Sequence, residues 1–147
     1  MLSAALVMAM NSSETSPLSQ ALLPALRGGG INLSHWWAQA HGGDYSDERL
    51  NTWMTEQDAE LIRKMGFKHV RFTLEPKAIW NETAPGSLPK ERLEMLKKCV
   101  SWYTGRGLVV ILDCHPSGDF KERLASDPAN VSKFESWWKS LAKAFSP

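Results

Sequence analysis

Gly107-Leu108-Val109-Val110-Ile111-Leu112-Asp113-Cys114-His115-Pro116 decides the fold. Five consecutive apolar residues follow the glycine, and the run ends in an acid and a histidine. Alternation puts Val109, Ile111, Asp113 and His115 on one face of a strand, and Val110, Leu112 and Cys114 on the other. A strand apolar on both faces belongs to a parallel sheet covered by helices. Polar groups at the carboxyl end of such a strand occupy the place where α/β folds keep their chemistry.

Working outward from this run, the pattern repeats. Arg27-Gly28-Gly29-Gly30-Ile31-Asn32-Leu33-Ser34 reads as a short strand entered through a glycine turn. The glycines precede the strand and no Gly-Lys-Ser/Thr follows, so they are not a phosphate loop. Residues 35–45 (HWWAQAHGGDY) form an aromatic loop. A helix is predicted over 55–65, with Thr55 as N-cap, Ala59, Ile62 and Met65 on one face with Leu61 beside them, and Gly66 as its stop. A second strand is predicted over 67–74 and a long loop over 75–89. A second helix follows over 89–106, with Leu93, Leu96, Val100 and Tyr103 as its stripe. The third strand covers 108–114, a loop 117–130, and a third helix 131–145, burying Phe134, Trp137, Trp138, Leu141 and Phe145. Three consecutive βα units, with long loops after strands and short ones after helices, fit a (β/α)8 barrel whose βα loops build the active face. A doubly wound sheet is the alternative, but no GxGxxG accompanies it.

Composition narrows the function classes. The 147 residues fit one domain; 43% are hydrophobic and 22% charged, enough to bury a core,. A net charge of +1 without blocks of like charge argues against nucleic acid or a membrane surface as partner,. Seven tryptophans fit either core packing or a sugar cleft that stacks flat rings on pyranose faces. Cys99 and Cys114, without a CxxC, read as buried free thiols rather than a disulfide. Residues 1–26 read as a leader remnant or disordered segment: 2–10 is apolar but too short to span a bilayer, and 11–17 is a polar linker. That points to secretion or a periplasmic site. The remainder, 27–147, forms the domain.

The residues that carry chemistry gather at the strand ends. They are His35, Trp36 and Trp37 after the first strand, Arg71 and Thr73 on one face of the second, and Asp113 and His115 on one face of the third. An arginine inside a barrel needs a partner, which Asp113 or an acid elsewhere could supply; a functional pair is favoured over a purely structural one. His35, His41, His69 and His115 match no metal-ligand spacing, and no GxSxG supports a serine triad.

Three segments together resemble glycoside hydrolase family 5, the cellulase family of retaining β-glycosidases on a (β/α)8 barrel. They are Arg27-Gly-Gly-Gly-Ile-Asn-Leu-Ser-His-Trp, Ile62-Arg-Lys-Met-Gly-Phe-Lys-His-Val-Arg-Phe, and Gly107-Leu-Val-Val-Ile-Leu-Asp-Cys-His-Pro. The resemblance runs from about Arg27 to the C-terminus. It implies that Arg71 supports the catalytic nucleophile, that His115 lines the −1 sugar subsite, and that His35, Trp36 and Trp37 hold sugar on the glycone side. It implies a β-linked polysaccharide substrate, no cofactor and no metal. The family's acid/base glutamate stands in an Asn-Glu-Pro motif ending strand four, and its nucleophile ends strand seven. Neither strand is expected among these residues, so no catalytic carboxylate is assigned. Asn81-Glu82, followed by threonine, reads as a decoy; Glu75 and Asp113 are conceivable substitutes by location, though nothing in the sequence pairs them.

Three strands of eight are expected to leave two open parallel edges, which invite pairing with another chain. Two alternatives follow for the isolated chain: a non-catalytic sugar-binding module built on Trp36 and Trp37, or a fragment that completes a barrel with a partner half.

Overall fold

The computed structural model describes residues 4–6 and 17–146. The expected polar linker over 11–17 lies outside these residues except for Pro17, the first residue of a helix, and most of the apolar run over 2–10 lies outside them too.

The elements follow in the order β1 (Ala4–Leu6), α1 (Pro17–Arg27), β2 (Gly30–Leu33), α2 (Asp47–Thr52), α3 (Glu56–Lys64), β3 (His69–Leu74), α4 (Lys90–Thr104), β4 (Val109–Cys114), α5 (Gly118–Ser126) and α6 (Pro128–Phe145). The sheet order is β1-β4-β3-β2. Strands β2, β3 and β4 are parallel, with Asn32 opposite Arg71, Arg71 opposite Ile111, and Thr73 opposite Asp113. The expected α/β architecture with helix-connected parallel strands is present.

One face of the sheet is the core. Leu33, Val70, Phe72, Leu74, Leu112 and Cys114 are buried against α3, α4 and α6, from which Ala59, Ile62, Leu96, Val100, Tyr103, Trp137 and Leu141 are buried in turn. Cys99 and Cys114 are free thiols in this layer, as expected. Burial pushes the Cys99 thiol up to about 11 and the Cys114 thiol up as well, because a thiolate is poorly solvated there.

Helix α3 begins as Thr55 suggests: the Asp58 carboxylate accepts from the Thr55 backbone N–H (2.7 Å) and hydroxyl (2.9 Å),. Met65, expected on the buried face, is instead 62% exposed. It follows the last helical residue as the C-cap, so the helix's stripe no longer dictates where it points. Gly66 then takes φ +90°, a turn that L side chains disfavour.

Five elements depart from the sequence reading. The expected loop over 117–130 holds α5, and α6 starts at Pro128, three residues early. The Asp127 side chain accepts from Ala129 N–H (2.8 Å) and Pro128 occupies the first turn; Asp-Pro is an N-cap signal that a loop reading overlooks. Helix α2 lies in a stretch also read as loop, capped by Ser46 accepting from Arg49 N–H (3.3 Å). Residues 17–26, read as leader or disordered, are helical in α1, which packs against β4. Ala4–Leu6 pairs antiparallel with β4. The far edge of β4 is therefore covered rather than open, and β2 is the other edge of the described sheet.

Gly30 shows why the strand entry is glycine-rich. A Cβ there would sit 2.0 Å from the His69 ring, whose Nδ1–H donates to Ala25 O at 3.1 Å. The imidazole occupies the space that a side chain would need.

Candidate active site

The face of the sheet away from the core carries the polar residues. Arg71, in the middle of β3, donates from Nη2 to Asp113 Oδ2 (2.6 Å) and from Nη1 to Asn32 Oδ1 (2.7 Å). The register explains both contacts. Asn32 lies directly opposite Arg71, and Asp113 lies two residues along β4 from Arg71's partner Ile111, so all three share one face. Asn32 also donates to Ser34 Oγ. His115 continues the ladder, its N–H donating to Leu74 O (2.8 Å), and places Nδ1 3.7 Å from Asp113 Oδ2. The structure thus brings Arg71, from the middle of β3, together with Asp113 and His115 at the carboxyl end of β4, and adds Asn32, which the sequence reading did not single out. Its signal was available: Asn32 is the one polar position within Ile31-Asn32-Leu33.

Burial divides the roles. The Asp113 side chain is 1% exposed, whereas those of Arg71 and His115 are 38% and 34% exposed. Asp113 is the buried anchor, and the other two reach solvent from it. Thr73 is fully buried and donates to Leu33 O (2.7 Å), tying β3 to β2.

The strand-end aromatics need correction. Trp36 and Trp37 are both fully buried and present no face to a sugar. Trp36 donates its indole N–H to Leu50 O (2.8 Å), stacks on Trp102 with ring centroids 6.0 Å apart, and lies 5.1 Å from Phe72. Trp37 packs on Phe72 and Trp36. Large apolar rings next to an uncovered helix layer contribute more by filling it than by standing in water. Six of the seven tryptophans are packing residues in this way: Trp80, Trp137 and Trp138 form a second cluster with Phe120 and Phe134. Trp53 is half exposed under the Arg49 guanidinium, 4.1 Å from its ring. His35 is exposed at φ +61°, its Nδ1–H donating to Gln39 O (3.0 Å), and its carbonyl accepts from Arg49 Nη2 (2.6 Å). It therefore remains at the rim without the two tryptophans beside it.

The carboxylates the sequence raised outside this group, Glu82 and Glu75, are engaged structurally. Asn81 Oδ1 caps its own turn, accepting from Thr83 N–H and Oγ1–H, and Glu82 pairs with Arg123 (2.9 Å). Glu75 is 2% exposed; its Oε2 accepts from Ser117 N–H (2.6 Å) and its Oε1 from Lys77 N–H (3.4 Å). Burial raises its pKa, against the pull of those two N–H groups. Among the described residues, no three His, Cys, Asp or Glu side chains gather as metal ligands, and no helix is long and apolar enough to cross a membrane. His69 lies at the start of β3 against Ala25, at the opposite strand end from His115.

A charged pair and a histidine on one face of parallel, helix-connected strands, near their carboxyl ends, stand where α/β folds keep their chemistry. The family described as Cellulase (glycosyl hydrolase family 5) matches residues 30–147, and the chain belongs to it. It is similar to Endoglucanase C of Acetivibrio thermocellus, 32% identical over 122 residues that cover 79% of this chain and 35% of that protein. It is also similar to Cellodextrinase A of Ruminococcus flavefaciens, 33% identical over 91 residues covering 62% of the chain and 26% of that protein. Glucan 1,3-beta-glucosidase of Blumeria graminis is 33% identical over 94 residues, covering 60% and 21%. The chain spans about a third or less of the length of these relatives.

Proposed function

We propose that these residues form the first three βα units of a (β/α)8 glycoside hydrolase that cleaves β-linked glucan with retention. The observation that carries this reading is the Arg71–Asp113–His115 group, which joins the middle of β3 to the carboxyl end of β4. The guanidinium is anchored on one side by Asp113 and Asn32. It carries five N–H donors, and its half-open position leaves a face for a further carboxylate or a sugar hydroxyl. In this role Arg71 orients the nucleophilic carboxylate, and His115 and Asn32 line the subsite of the sugar being cleaved.

Retention needs two carboxyl groups about 5–5.5 Å apart across the scissile bond, one as acid and one as nucleophile. Glu75 and Asp113 do not supply them. Each is almost fully buried and committed, Glu75 to backbone N–H groups and Asp113 to Arg71. The isolated 147-residue chain is therefore expected to bind a β-glucan oligosaccharide at this face and not to turn it over.

The test is an NMR titration of the isotopically labelled chain with cellotetraose and, in parallel, maltotetraose, together with a reducing-end assay on soluble cellulose. Shifts at Arg71, His115 and Asn32 with the β-linked sugar alone, and no released reducing ends, are expected. Hydrolysis lost in Asp113→Asn would overturn the assignment of the carboxylates. Absence of shifts at these residues would overturn the subsite.

A further inference from the structure

Glu75 stands where three βα loops meet. Its own N–H donates to Trp37 O (2.8 Å), in the loop after β2. Its Oε1 accepts from Lys77 N–H in the turn after β3, and its Oε2 accepts from Ser117 N–H at 2.6 Å, two residues beyond His115. The side chain is 2% exposed. The group is ringed by titratable side chains: Lys77 and Asp119, which pair with each other at 2.7 Å, Tyr45 and Cys114. A buried carboxylate needs a compensating hydrogen bond, and this one finds it on the backbone that carries His115 into the site.

We infer that Glu75 is a positioning residue: by holding the Ser117 N–H it fixes the turn after β4 and sets where the His115 ring lies against Asp113. The inference rests on His115 lining the sugar subsite for its functional meaning, and on the Glu75–Ser117 geometry for its substance. Glu75 touches no substrate. Its action passes through Pro116 and the ladder bond from His115 N–H to Leu74 O (2.8 Å).

The experiment is amide exchange and histidine ring spectroscopy on the labelled 147-residue chain. In Glu75→Ala, Ser117 amide protection is expected to fall about tenfold or more, the loss of a hydrogen bond to a charged acceptor, and the His115 ring cross-peak to move. Glu75→Gln keeps one acceptor oxygen, enough for the Ser117 N–H though not also for the weaker bond from Lys77 N–H (3.4 Å),, and is expected to restore both. Ser117→Pro removes the donor and leaves Glu75 in place, at a backbone φ of −60° that proline accepts,; it is expected to move the His115 cross-peak in the same way. If Glu75→Ala melts earlier but keeps wild-type Ser117 protection and an unmoved His115 cross-peak, Glu75 only packs and the inference fails. If Glu75→Ala does not fold, Ser117→Pro decides, and an unmoved cross-peak there overturns the inference. A wild-type chain showing the exchange pattern but no oligosaccharide-induced shift sinks the subsite reading and keeps the positioning one.

Discussion

Arg71 and Asp113 form one ion pair whose two ends are unequally buried, and the inequality predicts which half is costlier to remove. Replacing Arg71 by Met leaves a carboxylate that is 1% exposed without its guanidinium. Breaking a buried pair in that sense costs about 3–5 kcal/mol. Replacing Asp113 by Asn leaves an arginine whose side chain is 38% exposed and whose charge is met by water. The amide oxygen still accepts from Nη2, so the loss is the charge-assisted part of one hydrogen bond, about 1–2 kcal/mol. Arg71→Met should therefore cost about 2 kcal/mol more than Asp113→Asn, a difference of roughly 4–8 °C in midpoint for a chain of this size. The double variant should be more stable than Arg71→Met alone, because the second change removes a buried charge that has lost its guanidinium. Urea unfolding of the four proteins, followed by tryptophan fluorescence, measures all three quantities. Equal costs for the two single variants, or a double variant no better than Arg71→Met, would refute the reasoning: Asp113 would then be solvated or satisfied independently of Arg71.

Gly30→Ala should destabilise by about 1–3 kcal/mol, the usual cost of overpacking, because its Cβ meets the His69 ring; Gly86→Ala, with open space at its Cβ, is the control in the same unfolding assay. Glu75 gives a pH signature. Its pKa is raised on folding, chiefly by burial, so its contribution to stability is fully present below the ordinary carboxylate pKa and is lost as pH rises through the folded value. Glu75→Gln should flatten that limb of the stability–pH profile and be neutral or stabilising at pH 7, whereas a variant that is markedly less stable at neutral pH would contradict the burial argument. Lys77, Asp119, Tyr45 and Cys114 all face this group, so the comparison is made between Gln and Glu at each pH rather than across pH in one protein.

The parallel strands were legible because their signals are local. Apolar runs, flanking glycines and the Thr55 cap sit within a few residues of what they specify, and the observed bounds of α3, β3, α4 and β4 fall within two residues of the reading. Asp113 was legible as one candidate partner for Arg71, because alternation fixes the face each takes on its own strand; the register of β3 with β4 singles it out. Asn32 was visible as the one polar position of its strand, but its role was not: only the pairing of β2 with β3 places it opposite Arg71. Trp36 and Trp37 were misread because adjacent aromatics after a strand look alike whether they stack on a ligand or on Phe72, Trp102 and the helix layer. Glu75 was legible as a polar strand-end residue but not as a loop tie, since its partner Ser117 is 42 residues away.

The two faces of the sheet follow opposite rules, and the difference argues for chemistry on one of them. On the helix side, apolar rings fill the space and even the thiols are held neutral by burial. On the other side, the sheet keeps a buried carboxylate, a half-exposed guanidinium, an amide and an imidazole within one network. Stability alone does not require this arrangement, because well-packed apolar residues in place of a buried pair are often neutral or stabilising. A sheet selected only to fold would extend its apolar packing to both faces, as parallel sheets do. What the charged set provides is a guanidinium held at a defined angle by Asp113 and Asn32, with donors left toward the open rim. Pre-set donors of this kind act on charge that arrives or develops in front of them, without reorganising when it does. That is the contribution this part of the barrel makes to glycoside cleavage under the proposed function, and it explains why Asp113, which reaches no solvent, belongs to the site as much as Arg71 and His115 do.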